Sequence, residues 1–439
     1  MRRGTNIEKK EQIGVGLRVL VVGGGGREHA IAWKLAQSAL VDALYCAPGN
    51  SGTATVATNL PITATDVAAI VGAAKEFAID LVMIGPEKPL ALGLADTLRD
   101  EGFLVCGHQA DAAMLETSKT FAKAIMATAG IPTAHSVLVS DFDTAIVALD
   151  QFTIPVVIKA DGLADGKGVV VATSREEAEA TIRAFLVDAT LGAAGSSVLI
   201  EEFLSGYEMS AIAFVDGETV VTLAPSCDHK PVFDGNLGPN TGGMGTYAPA
   251  PQISPELFEQ IVATVLKPAA QAMFDRGTPL QGLLFAGVMI TESGPKVIEY
   301  NTRFGDPETQ VLLPLMAGDL GAVIHAVATG TLAQLAPIDQ NPGSAVCVVL
   351  ASGGYPGPYE TGVPIAGADV PRDGVIVFHA GAKRLEDGTL VSNGGRVLNV
   401  VGIGADLEEA RQRAYGAIAG ISFDGMHARS DIGSFGLGS

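Results

Sequence analysis

Glu299-Tyr300-Asn301-Thr302-Arg303-Phe304-Gly305-Asp306-Pro307-Glu308 places hard oxygen donors, a guanidinium and two further carboxylates in one short stretch. The residues before it, Lys296-Val297-Ile298, follow a Glu292-Ser293-Gly294-Pro295 turn and read as the second strand of a hairpin over residues 285–301. A strand's period of two puts Glu299, Asn301 and, continuing, Arg303 on one face. A carboxylate and an amide oxygen so spaced suit Mg²⁺ (or Mn²⁺), which takes oxygen ligands and keeps open positions for nucleotide phosphates. Arg303 can then neutralise charge developing on a transferred phosphoryl group or an acyl phosphate. A lone Glu-x-Asn is a loose pattern, so its weight depends on what surrounds it.

Far upstream, short apolar runs at 19–22, 44–46, 81–84 and 104–106 alternate with helix-like stretches, the pattern of a parallel sheet with crossover helices that ends near residue 115. The first run leads into Gly23-Gly24-Gly25-Gly26-Arg27-Glu28-His29, a strand, glycine turn and helix start that aims backbone amides at an anion. A dinucleotide site is disfavoured. The third fingerprint position falls on Glu28 or His29, and the second strand ends Ala47-Pro48-Gly49-Asn50 where a ribose-binding acid would stand. A phosphate-bearing small molecule is expected at this turn, with His29 either touching it or satisfied within its helix.

A helix over 118–129 and a Gly130-Ile131-Pro132 break lead to strands over 155–159, 168–172 and 198–203, with a helix over 174–187. Lys159 ends the first strand, and Gly162, Gly166 and Gly168 loosen the loop beyond it, more than a hairpin of about two to five loop residues requires. Lys159 would meet nucleotide phosphates as a point charge, with the glycines letting the backbone close over them. Glu201 and Glu208 either take an adenine amino group and ribose hydroxyls or are solvated surface acids. Asp228-His229-Lys230 and Gly238-Pro239-Asn240-Thr241-Gly242-Gly243-Met244-Gly245 form a further cluster, whose glycine density marks close approach to a ligand or an unusual turn. One helix is expected over 254–276. The last part of the chain shows strands over 345–351, 374–380 and 396–401 and an amphipathic helix opened by Asp406 and Glu409 in a capping-box arrangement, but no motif assignable to chemistry.

The chain's 439 residues allow about three domains, and 48% hydrophobic with 17% charged content describes a well-buried globular protein. A net charge of -20 argues against nucleic acid or an anionic membrane as partner, since both need basic surface. Cys46, Cys106, Cys227 and Cys347 are far apart, so neither a disulfide framework nor a zinc site is suggested, which fits a cytoplasmic protein. Residues 1–16 lack the apolar core of a secretory signal and read as a disordered extension.

In their order, these pieces resemble the glycinamide ribonucleotide synthetases, the phosphoribosylamine-glycine ligases of the ATP-grasp superfamily, over residues 17–433. The most specific are the Arg27-Glu28-His29 turn, Ala47-Pro48-Gly49-Asn50, Gly85-Pro86-Glu87, the Lys159 loop, Asp228-His229-Lys230, the run 238–245 and the run 301–308. The resemblance implies an α/β protein of ATP-grasp architecture: an N-terminal parallel α/β domain over 17–116, an ATP-grasp domain over 117–335 with a mobile α+β lid lobe at about 135–205, and a C-terminal α+β domain over 340–439. It implies that ATP activates glycine as glycyl phosphate, which the amine of 5-phosphoribosylamine then attacks, in a monomeric enzyme. Glu299 and Asn301 would hold the metal; Lys119, Lys159, Gly166, Lys167 and Gly168 the ATP phosphates; Glu201 and Glu208 the adenine and ribose. Arg303, Asp228, Lys230, Thr241, Gly242 and Gly243 would hold glycine and its acyl phosphate, while Gly25, Gly26, Asn50 and Glu87, with Asp306 or Glu308 near the amine, would receive phosphoribosylamine. Arg303, Lys159 and Asp306 would carry the catalysis. Asp165, Lys88, Cys227, Pro231 and the Cys106-Gly107-His108 run depart from the family pattern. An ATP-grasp ligase with a different substrate pair is the alternative.

Overall fold

The computed structural model describes residues 16–164, 168–335 and 337–437. The expected extension lies outside these residues up to residue 15, as do Asp165, Gly166 and Lys167. Gly16, assigned to that extension, is instead tied to the first domain through its amide, 2.9 Å from Asp42 Oδ2.

The first sheet has five parallel strands in the order Thr58–Asn59, Val41–Pro48, Leu17–Gly23, Leu81–Ile84, Leu104–Cys106. The central strand is apolar on both faces because helices cover both, so its sequence shows a continuous run rather than alternation. Two antiparallel four-stranded sheets follow. One is ordered Ser136–Val139, Val198–Glu202, Val156–Ala160, Val169–Ala172 and packs the helices Phe142–Leu149 and Arg175–Leu186 around a core of its own. The other is ordered Thr219–Thr222, Tyr207–Asp216, Gln281–Thr291, Gly294–Asn301.

The C-terminal sheet crosses the expected domain division. Its strands run Cys227–Asp228, Gly245–Ala248, Ser344–Ala351, Arg396–Gly404, Val375–His379, so two strands from the middle of the chain complete a sheet of the last part. One apolar core accordingly joins Val19, Phe304, Leu313, Cys347 and Val401. The final helix, Leu407–Ile418, starts as expected: Asp406 Oδ1 accepts from the Glu409 amide at 2.9 Å, although Glu409 reaches back to the Ala405 amide rather than that of Asp406. The single helix expected over 254–276 is corrected to Pro255–Ile261, a π-turn Val262–Leu266 and Lys267–Asp275. Pro268 has no amide to donate to the carbonyl four residues back, which loosens the turn there.

His108, one of the departures from the family pattern, closes the joint between the first sheet and the Gln281–Thr291 strand. Its Nδ1 accepts from the Gln281 amide at 2.9 Å, so its Nε2 carries the proton and donates to the Leu283 carbonyl at 2.7 Å. Burial holds it down to about 4, and burial likewise holds His229 and His379 near 4 and His29 near 3. A histidine with a depressed folded pKa stabilises fully above its unfolded pKa of about 6.5, and that contribution is lost as pH falls toward the folded value. A His108→Gln variant is therefore expected to lose about 1–2 kcal/mol less stability than the unaltered protein between pH 7 and pH 5 in urea unfolding. Equal losses in the two proteins would show that His108 is not held neutral.

Candidate active site

The end of the Gly294–Asn301 strand faces Lys159, near the end of the Val156–Ala160 strand, across a cavity of about 250 Å³. Glu299, Asn301 and Arg303 line one wall, with Ile298 and Tyr300 between them also reaching it, and Lys159, Gly168 and Glu201 line the other. Lys119 enters at the start of the helix Lys119–Ala129, which Ser118 caps, with Nζ 3.4 Å from the Gly162 carbonyl. An apolar slot of about 240 Å³ continues from the cavity between the two antiparallel sheets, lined by Val157, Val171, Phe203, Leu204 and Met289. Glu208 sits at its rim, bonded to Lys230.

Glu201 is not free to face a base. Its two oxygens take Lys159 Nζ at 2.5 Å and Lys123 Nζ at 2.9 Å. Burial works against its charge, but the two lysines outweigh that and hold the carboxyl below its usual range. In this structure Glu201 instead pairs with Lys159, and the apolar slot opens beside Glu202, Phe203 and Leu204. Lys123 was missed because an interior helix lysine has no local pattern that separates it from a solvated one.

Glu299 is held ionised. Burial pushes its carboxyl up, and Lys230, Lys159, Lys119 and Arg303 together pull it below the usual range. Arg303 donates to Asn301 Oδ1 at 2.9 Å and to the Phe304 carbonyl at 3.2 Å, and forms ion pairs with Glu116 Oε1 at 3.0 Å and Glu87 Oε2 at 3.5 Å. Glu116 was not foreseen. It also accepts from the Thr302 amide at 2.7 Å and hydroxyl at 3.0 Å, so a carboxylate from the preceding domain orients both the arginine and the strand end.

Asp228 and Glu308 crowd the far end of this cavity. Burial first and mutual repulsion second raise the Asp228 carboxyl, and burial raises that of Glu308, which accepts from Ser210 Oγ at 3.0 Å. Asp306 differs: burial opposes its charge, but Arg396 and Arg27 hold it below the usual range. Of these three acids Asp306 is thus the one with the strongest hold on its negative charge. It alone of them also lines a second cavity, of about 860 Å³, between the glycine turn and the C-terminal sheet.

Gly23, Gly24, Gly25 and Arg27 border that second cavity from the N-terminal side, with Lys383, Arg384 and Arg396 opposite. Asn50 lines it, yet its amide is spent bracing the turn: Nδ2 donates to the carbonyls of Gly24 at 3.0 Å, Gly25 at 3.2 Å and His379 at 2.7 Å, and Oδ1 accepts from the amides of Gly52 and Thr53. Gly26 does not reach the cavity. A Cβ there would lie 2.2 Å from Asn399 Nδ2, so this glycine serves helix packing, which corrects its assignment to substrate. Gly243, at φ +114, has no Cβ to strike Pro307 and Asp228 and makes the turn behind Gly242, and it lines neither cavity. His29 is structural, its Nδ1 accepting from the His379 amide at 2.8 Å. Thr241, Gly242, Asp228, Lys230, Glu87 and Glu308 all line the first cavity. Cys227 and Pro231 line neither cavity: Cys227 Sγ accepts from Gln252 at 2.9 Å and the Pro231 carbonyl accepts from Arg429.

A nucleotide slot between two antiparallel sheets, a lysine on each of two approaching elements and a Glu-x-Asn strand end define an ATP-grasp enzyme. The family models for the N domain, the ATP-grasp (A) domain and the C domain of phosphoribosylglycinamide synthetase match residues 17–116, 117–309 and 345–435, and the chain belongs to this family. It is 50% identical over 424 residues, 96% of this chain and 100% of the other, to a phosphoribosylamine-glycine ligase of Phenylobacterium zucineum. It is 47% identical over 420 residues to a trifunctional purine biosynthetic protein adenosine-3 of Gallus gallus, covering 95% of this chain and 42% of that one. The crystal structure of a phosphoribosylamine-glycine ligase from Thermotoga maritima superposes with a TM-score of 0.82 at 35% identity, covering 94% of this chain and all of that one. A biotin carboxylase domain from Hydrogenobacter thermophilus, in complex with MgADP, shares the fold at a TM-score of 0.74 and 18% identity.

Proposed function

We propose that this enzyme is an ATP-dependent ligase that joins glycine to 5-phosphoribosylamine, giving glycinamide ribonucleotide, ADP and phosphate in purine biosynthesis. The observation that carries the reading is the pair of cavities meeting at Asp306, one fitted for a nucleotide and a small acid, the other large and rimmed with cations. A carboxylate resists an amine until one of its oxygens becomes a leaving group, so glycine's carboxylate oxygen first takes the terminal phosphoryl group and ADP leaves. Lys159 and Lys119 hold the phosphates, and Arg303 holds the carboxylate as it becomes glycyl phosphate. The amine of phosphoribosylamine, its phosphate toward the glycine turn and the cations opposite, then attacks the carbonyl. The carbon–nitrogen bond forms, phosphate departs, and Asp306 accepts the proton from nitrogen.

Glu299 and Asn301 fit Mg²⁺ or Mn²⁺. Glu299 stays anionic among four cations, and beside it Asn301 offers an amide oxygen, Oδ1, which here accepts from Arg303 and would pass to the ion. An ion held by these two side chains would take its remaining ligands from nucleotide phosphates and water. Bound there, the ion would offset charge on the transferring phosphoryl group. A cytoplasmic monomer acting on small molecules, without nucleic-acid or membrane partners, belongs to the same proposal, supported by the charge of -20; among the described residues no helix is long and apolar enough to cross a membrane. ADP release with Mg-ATP, glycine and phosphoribosylamine formed in situ from ribose 5-phosphate and ammonia tests it, each component being omitted in turn. ADP release requiring both substrates, with a product of the expected mass, is the predicted result. Turnover only with another acid or amine would keep the ATP-grasp chemistry and remove this substrate pair.

A further inference from the structure

The partition between the two cavities is held by a side chain from the C-terminal sheet. Arg396, first residue of the Arg396–Gly404 strand, donates Nη1 to the Asp306 carbonyl at 2.6 Å and to the Gly242 carbonyl at 2.7 Å, with the Gly243 carbonyl at 3.5 Å. Its Nη2 lies 3.5 Å from the Asp306 carboxylate. Gly242 borders the first cavity, Arg396 the second and Asp306 both. Tyr355, also on the second cavity, accepts from the Gly242 amide at 3.2 Å. A Cβ on Gly242 would lie 3.1 Å from the Arg396 guanidinium carbon, so a bare backbone lets the fork seat this closely.

We infer that Arg396, assisted by Tyr355, is a positioning residue for amide formation: it sets the Gly242 loop and Asp306 in fixed relation, so that acyl phosphate on one side and amine on the other meet in register. The inference rests on the reaction proposed above. A guanidinium carries its donors in a rigid plane, so one group fixes the distance and angle between two separate segments, which a lysine ammonium cannot do. An acyl phosphate yields to whichever nucleophile reaches its carbonyl. With the amine aligned, nitrogen bonds to carbon and phosphate leaves. With the amine displaced, water supplies the oxygen instead, and glycine and phosphate are the products. A misplacement of about 1 Å costs about a hundredfold in such a step, while phosphoryl transfer at Lys159 and Glu299 proceeds. Loosening the partition should therefore uncouple ADP release from amide formation.

The test measures ADP and glycinamide ribonucleotide in the same samples for Arg396→Ala, Arg396→Lys and Tyr355→Phe. Amide formation in Arg396→Ala is expected to fall about a hundredfold while ADP release falls less than about tenfold, so ADP per amide rises at least about tenfold. Arg396→Lys should lie between it and the unaltered enzyme, and Tyr355→Phe should shift the ratio in the same direction by less. A ratio unchanged in all three, whatever happens to the rates, overturns the inference and leaves Arg396 a support of the fold. Should Arg396→Ala not fold, the other two variants decide by the same ratio. An unaltered enzyme that releases no ADP with these substrates fails the proposed reaction itself, and the positioning role falls with it.

Discussion

Glu299→Gln is expected to lower kcat by about 10²–10³-fold, the several kcal/mol that a metal ligand and its ion supply to phosphoryl transfer. The substitution keeps the shape of the side chain and removes the only charge in the Glu299 and Asn301 pair. It also leaves Lys230, Lys159, Lys119 and Arg303 without the anion they surround. Their mutual repulsion should spread the phosphate site, so the KM for ATP should rise as kcat falls, and higher metal concentrations should restore part of the rate. Steady-state ADP release over a Mg²⁺ and a Mn²⁺ titration measures all three. A variant within about threefold of the unaltered kcat at every metal concentration would remove Glu299 from the metal site.

The second large effect is expected at Arg303. Arg303→Lys should cost about 10³-fold in kcat, the lower end of what an arginine at a transferring phosphoryl group contributes. Charge is conserved, so the loss isolates geometry. The guanidinium meets Asn301, Glu116, Glu87 and the Phe304 carbonyl at once, and an ammonium on a flexible stem cannot match a planar fork. Glu116 would be left buried with only the Thr302 bonds, which should lower stability as well. Unfolding measured beside turnover separates the two. A lysine variant that folds and keeps more than about a tenth of the rate would show that Arg303 acts as charge alone.

The local chemistry was legible from residue order. Glu299 and Asn301 were legible together because a strand repeats every two residues, with Arg303 just past the strand's end, and Lys159 announced itself near the end of a strand before a glycine-rich loop. Asn50 was legible as part of the glycine-turn site, yet its role as a brace was not, because its partners Gly24, Gly25 and His379 are set by packing. Glu201 was read as base-facing for a similar reason: both lysines that occupy it come from other elements. Glu116 and Arg396 carried no signal. Each is a single charged residue in an unremarkable context, and what makes either matter is the group it meets across a domain boundary.

By itself the sequence determined the parallel first sheet, the lysine loop, the Glu299 and Asn301 strand end and the class of chemistry, because periodicity, glycine placement and donor identity are local properties. Only the tertiary structure decided which carboxylate serves which cation, that Gly26 packs rather than binds, and that strands at 227–228 and 245–248 join a sheet with 344–351 and 396–404. Ion pairing and burial depend on distances between segments far apart in the chain. The charge state of Asp306 is one example, since Arg27 and Arg396, which hold it ionised, come from near opposite ends of the chain.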